Sequence, residues 1–79
     1  MEQLRWACRR GMLELDIILN DFLDTQYFTL TGYQQKSFEN LLLRTDQELF
    51  RWLVHHEVPS DSTYFEITDL VKTYASRII

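Results

Sequence analysis

The chain has 79 residues, a net charge of −4 and a hydrophobic content of 46%, with two Trp, four Tyr and five Phe. So many large apolar side chains exclude a disordered coil, and two Gly and one Pro exclude collagen-like or low-complexity sequence. A single Cys excludes an internal disulfide, and the acidic balance argues against nucleic-acid binding, which needs basic residues to neutralise phosphates. We therefore expect one domain over residues 1–79.

Apolar residues never run for more than three positions without interruption, as in residues 41–43. Such runs are too short for a membrane span or a signal-peptide core. We therefore expect a protein that does not insert into a membrane. We also expect it to belong to the reducing cytoplasm and to be a monomer when free.

Helical periodicity dominates the chain, and no stretch alternates as a strand does. It predicts five helices, at residues 2–9, 12–27, 32–43, 46–56 and 64–77. The second carries one buried stripe, because its apolar residues recur at helical spacing: Leu15, Ile18, Leu19, Phe22 and Leu23. The fifth carries another: Ile67, Leu70, Val71, Tyr74 and Ile78.

Capping boxes, in which a Thr is followed three residues later by Gln or Glu, predict the starts of the last three helices. Pro59 ends the fourth helix, and a loop over residues 60–62 follows. The fold class is therefore all-α, a compact five-helix bundle with short connections. The three boxes are Thr31 with Gln34, Thr45 with Glu48, and Thr63 with Glu66.

Catalytic and metal-binding patterns are missing from the sequence. Cys8 has no neighbouring base and is expected to pack as a small apolar residue. His55 and His56 are adjacent, so on a helix they point about 100° apart and cannot share a metal ion. We predict no metal site and no enzyme activity of the chain's own.

Outward-facing apolar residues permit two interpretations, part of a contact patch or ordinary scattered exposure. With Leu15 at the centre of the buried stripe, Leu13 and Ile17 lie on the outer side of the second helix. Phe22, Phe38, Trp52 and Tyr74 fit inner stripes, whereas three other aromatics fit none and are candidate surface anchors: Trp6, Tyr33 and Phe65.

The segment around Gly11 permits two interpretations. Gly11 either supplies a left-handed or strained turn between two helices, or lets a partner's backbone approach closely. Arg9 and Arg10 stand beside Glu14 at the start of the second helix. That cluster is either a solvated cap with a surface ion pair, or a docking site for a partner's carboxylates or phosphates.

Residues 9–16, Arg-Arg-Gly-Met-Leu-Glu-Leu-Asp, resemble the signature of the FAD assembly factor family of the SdhE type. The family's hallmark is Arg-Gly-x-x-Glu, met here by Arg10, Gly11 and Glu14. A second similarity is the pattern Asp-x-x-Leu-x-x-Trp-Leu at residues 46–53, followed by Pro59. Trp6 and Cys8, just before the hallmark, also resemble bacterial members.

This resemblance implies a five-helix bundle that binds the flavoprotein subunit of succinate dehydrogenase or fumarate reductase. It implies that the factor promotes covalent attachment of FAD to a histidine of that client, without being an enzyme itself. No dinucleotide-binding fingerprint occurs, so we expect FAD to be attached to the client and not held tightly by this chain. Arg10, Gly11 and Glu14 form the implied docking core, with Gly11 permitting close approach and the other two making charged contacts; Arg9, Met12 and Asp16 support it.

Three other interpretations remain at this point. A small acidic helical protein also suits an antitoxin that neutralises a toxin by binding it, although that class does not explain the Arg-Gly-x-x-Glu segment. A helix-turn-helix protein should have a basic recognition helix, and no helix here is basic. An enzyme acting through Cys8 is the third.

Overall fold

The computed structural model describes residues 2–78, and for Ile78 the backbone only. Within that range the chain forms five α-helices and no strand, which confirms the predicted all-α five-helix bundle. Two 3₁₀ turns, Tyr27–Thr29 and Ser62–Tyr64, precede α3 and α5. The helices are α1 (Glu2–Ala7), α2 (Leu13–Thr25), α3 (Gly32–Leu41), α4 (Asp46–Leu53) and α5 (Phe65–Ile78).

Helix α2 packs against α4 and α5, and α5 also packs against α3. The predicted stripe of α2 is confirmed, because all five of its apolar residues are at most 2% exposed. Phe22 on this stripe packs its ring against Phe38 of α3 and Tyr74 of α5, at centroid distances of 5.1 and 5.7 Å. Tilted and edge-on contacts of this kind suit the charge distribution of aromatic rings. The core therefore lies between α2, α3, α4 and α5, with Leu49, Trp52 and Leu53 as the contribution of α4.

The capping boxes of α3 and α4 are confirmed, and the third is wrong. The hydroxyl oxygens of Thr31 and Thr45 each accept the N–H three residues on, at 3.1 Å. Thr63 instead lies inside a 3₁₀ turn, and its own N–H donates to the carboxylate of Asp61 at 2.9 Å. Helix α5 consequently begins at Phe65, not directly after a Thr cap.

Helix α4 ends at Leu53, three residues before the predicted end at 56. The chain leaves the helix through His56, which has a φ of 59°, in the left-handed region that often terminates helices. The N–H of Glu57 then donates to the carbonyl of Arg51 at 2.9 Å. Helical spacing continues through the two histidines, so sequence periodicity could not show this exit.

Helix α5 buries Ile67 and Val71 fully, while Leu70 and Tyr74 of the predicted stripe are half-buried. The Tyr74 hydroxyl donates to the Asp21 carboxylate and contacts the Thr25 hydroxyl, so its polar end stays near the surface. The Ile78 side chain lies outside what the structure describes. Within residues 2–78, no helix is long and apolar enough to cross a membrane.

The stability of two variants tests whether Thr45 caps α4 and Thr63 does not cap α5. Thr45→Ala removes a capping hydroxyl and should lower the free energy of unfolding by about 1 kcal/mol. Thr63→Ala removes no capping bond and should change it by less than about 0.5 kcal/mol. Urea denaturation of both variants measures the difference. A loss for Thr63→Ala as large as that for Thr45→Ala would show that Thr63 caps α5 after all.

Candidate functional site

Helix α1 is short, has no fully buried residue and is tied to α2 mainly through polar groups. The Arg5 guanidinium donates to the Asn20 amide oxygen at 3.1 Å and pairs with the Asp24 carboxylate. The Asn20 amide nitrogen donates to the Cys8 carbonyl at 3.2 Å and to the Asp16 carboxylate at 2.5 Å. The hydrogen bond from Arg5 lowers the pKa of Asp24 and raises that of Arg5. These contacts attach α1 to α2, and Leu4 and Ala7 of α1 also pack against the core.

An open groove of about 650 Å³ lies between α1 and α2. Trp6 and Ile17 stand on its rim, and the Arg9 guanidinium lies over the Trp6 ring, 5.2 Å from its centroid. Leu13 lies one helical turn before Ile17, so it extends the same side of α2. Trp6, Leu13 and Ile17 are 68%, 73% and 51% exposed, which confirms that the two aliphatics face outward. We call Trp6, Arg9, Leu13 and Ile17 together the α1–α2 face.

Arg10 points away from this face, although it is adjacent to Arg9. Its guanidinium donates to the Leu42 carbonyl, to the Arg44 carbonyl at 3.3 Å and to the Asp46 carboxylate at 3.2 Å. Only 14% of the Arg10 side chain is exposed. From the family resemblance we expected Arg10 to make charged contacts with a partner. The structure places its guanidinium on the turn between α3 and α4.

Gly11 lies at the surface between α1 and α2. No glycine among the described residues has a positive φ, so the proposed left-handed turn at Gly11 is wrong. A Cβ added at Gly11 would lie 3.7 Å from Oδ2 of Asp46, an ordinary contact. The fold itself therefore does not require glycine at this position.

Met12 precedes the first turn of α2 and packs its half-buried side chain against the core. It gives α2 no side-chain cap, unlike the threonines that start α3 and α4. Asp16, in the first turn of α2, lines the groove and bonds to Asn20. Of the support residues, Arg9 and Asp16 thus line the groove, whereas Met12 packs against the core.

Glu14 is exposed in the first turn of α2, where a carboxylate is favoured by the helix dipole. It lines a second, smaller groove together with His56 and Lys72, between α2, the end of α4 and α5. Within residues 2–78 it forms no ion pair. The predicted docking residues therefore point in three directions: to the first groove, to this second groove and to the α3–α4 turn.

The remaining candidate surface aromatics lie outside the α1–α2 face. Tyr33 and Phe65 are 70% and 46% exposed, in keeping with the expectation of surface aromatics, and lie on α3 and α5. Phe28, 71% exposed, was missed because it sits in a 3₁₀ turn where helical spacing gives no direction. Within residues 2–78, no three His, Cys, Asp or Glu side chains come together as metal ligands.

Cys8 is fully buried, as predicted, and burial raises the pKa of its thiol to about 11. Because the thiolate is the reactive form, the native protein at pH 8 should react with iodoacetamide at least about a hundredfold more slowly than an unfolded chain. Mass spectrometry of the alkylated protein, with and without denaturant, measures both rates. Equal rates would mean that Cys8 is accessible and ionised in the folded protein.

Comparison with known proteins gives one consistent family. A family model described as "Flavinator of succinate dehydrogenase" matches residues 2–75. A protein of Colwellia psychrerythraea named FAD assembly factor SdhE is 43% identical over 76 residues, covering 96% of this chain and 80% of the relative. Proteins of the same name from Legionella pneumophila and Yersinia pseudotuberculosis are 43% identical over 70 residues and 38% identical over 71. These alignments cover 89% and 90% of this chain and 87% and 81% of the relatives.

Proposed function

The chain belongs to the family of flavinators of succinate dehydrogenase, and on this premise we propose that it is an assembly factor for a flavoprotein. It binds the flavoprotein subunit of succinate dehydrogenase or fumarate reductase and promotes covalent attachment of FAD to that client. The match extends over nearly the whole chain and includes both sequence patterns that suggested the family. The FAD belongs to the client, and this chain holds none tightly.

The α1–α2 face is the observation that supports this proposal best. Three large apolar side chains of this face are more than half exposed, and the guanidinium of Arg9 lies over one of them, the Trp6 ring; exposed aromatic and Arg side chains are typical of protein interfaces. Trp and Arg are also the residues most enriched among those that dominate binding energy. Within residues 2–78, Arg9 has no carboxylate partner, so it can accept one from the client.

Two hallmark residues extend the proposed contact surface beyond this face. Gly11 is exposed next to Arg9 in the chain, and its lack of a side chain leaves room for the client to approach closely. Glu14 offers an unpaired carboxylate to a basic group of the client from the neighbouring second groove. Asp16 supports the surface through its bond to Asn20, and Met12 supports it by packing on the core. Arg10 contributes to the surface indirectly, through the contacts of its guanidinium with the α3–α4 turn.

A factor of this kind needs no catalytic group. Holding the client's histidine and the flavin in a reactive geometry can lower a barrier by roughly 7 to 11 kcal/mol. The factor needs only to bind that client conformation more tightly than the others. We propose that it acts as a monomer in the cytoplasm and is not itself an enzyme. A reducing compartment suits its single free Cys8.

The experiment mixes the client flavoprotein subunit with FAD, adds this protein, and reads covalent flavin by ultraviolet fluorescence after denaturing electrophoresis. The wild-type protein should raise the rate of flavin attachment. The double variant Leu13→Ser/Ile17→Ser should lower that gain by about tenfold or more, because it removes two apolar contacts at the centre of the face.

The matched control is Leu43→Ser/Val58→Ser, which removes two aliphatics that are 80% and 72% exposed elsewhere on the surface. It should flavinylate like the wild type. A similar loss in both double variants would show that general surface change, not the α1–α2 face, governs activity. No gain with the wild-type protein would refute the assembly-factor proposal itself.

A further inference from the structure

Building on the proposed function, we infer that the Arg10–Asp46 ion pair is a positioning device for the client-binding loop. The pair holds loop 9–12 so that Arg9 and Gly11 are presented to the client while Arg10 itself stays inside. Arg10 is thus a positioning residue, and Asp46 is its partner in that role.

The contacts of Arg10 give it the geometry of an anchor. One guanidinium reaches two backbone carbonyls at the end of α3 and a carboxylate at the start of α4, 32 to 36 residues away along the chain. Arginine suits such a task because its planar fork can donate several hydrogen bonds at once in a fixed geometry. With 14% of Arg10 and 30% of Asp46 exposed, the pair is partly shielded from water.

Loop 9–12 has few other ties to the fold. The backbone N–H groups of Arg10, Gly11 and Met12 make no hydrogen bond to another backbone group of the described residues. Helix α2 begins without a side-chain cap at Met12. The loop is held at its edges by the bonds from Arg9 N–H to the Trp6 carbonyl and from Asp16 N–H to the Met12 carbonyl. Arg10 supplies the long-range polar attachment of the loop, and Met12 adds apolar packing on the core.

Asp46 is held in a defined position, in which it accepts the hydrogen bond from Arg10. It is the first residue of α4, and the capping box between Thr45 and Glu48 fixes that turn. One carboxylate oxygen of Asp46 accepts from Arg10, and the other faces Gly11. The pair therefore connects the two segments that carry the family resemblance, at residues 9–16 and 46–53.

A double-mutant cycle tests the inference with the flavinylation assay. Arg10→Gln and Asp46→Asn should each lower the gain in flavin attachment by about tenfold, and the double variant should be no worse than Arg10→Gln alone, because Arg10→Gln already removes the contact that Asp46→Asn breaks. In ¹⁵N-labelled protein without client, the heteronuclear NOE of the Gly11 and Met12 amides should fall in all three variants. Arg10→Lys, which keeps the charge, should retain part of the gain, and it replaces Arg10→Gln in the cycle if that variant unfolds.

The matched control is Glu57→Gln, which removes the carboxylate that pairs with Arg51 after the end of α4, away from the turn that holds Arg10. It should leave both the flavinylation gain and the NOE of loop 9–12 unchanged. Circular dichroism identifies the temperature range in which every variant is folded.

Three results would overturn the inference. One is an Asp46→Asn variant that keeps or exceeds wild-type activity, as expected if Arg10 contacts the client directly and is merely released. Another is additive losses in the double variant, and the third is an unchanged NOE at Gly11 and Met12. A wild-type protein that accelerates nothing would refute the proposed function instead, and the NOE would still decide whether the pair orders the loop.

Discussion

Helix α2 can bury only one side, and its five core residues occupy that side completely. Because α4 and α5 both pack on this stripe, nothing in the bundle covers the opposite side except the short α1. Leu13 and Ile17 are consequently left in water. Each such side chain forgoes the free energy of burial, about 25 cal/mol for every Å² of apolar surface. This exposed face is the surface that we propose the client covers.

Two neighbouring arginines at the edge of this face point in different directions. Arg9 turns outward and stacks on Trp6, whereas Arg10 turns inward to the α3–α4 turn. A loop that must present groups to a partner gains affinity when it is ordered before binding, because less entropy is lost on association. In the mechanism that we propose, Arg10 gives the loop that order, Arg9 contacts the client, and Gly11 leaves room for the client to approach.

The sequence predicted best those features that depend on local spacing. Five helices, the α2 stripe and the outward direction of Leu13 and Ile17 all follow from a repeat of 3.6 residues, which neighbouring residues set among themselves. The capping box predicted at Thr63 shows the limit of a short motif. In such a box the Glu66 side chain would accept the Thr63 N–H, but that N–H donates to Asp61 and Thr63 lies in a 3₁₀ turn. The direction of Arg10 could not be predicted, since it depends on a carboxylate 36 residues away. The resemblance implied that Arg10 contacts the client; the structure places its guanidinium on the α3–α4 turn, and from this we propose a positioning role.

The measurement that tests the central claim most directly is hydroxyl-radical footprinting of this protein, free and in complex with the flavoprotein subunit. Trp6 and Tyr33 are matched probes, because both are aromatic and are 68% and 70% exposed in the free protein. If the α1–α2 face binds the client, Trp6 should be strongly protected in the complex while Tyr33 on α3 keeps its oxidation rate. Protection of Tyr33 with Trp6 still fully reactive would contradict the account and place the client on another side of the bundle.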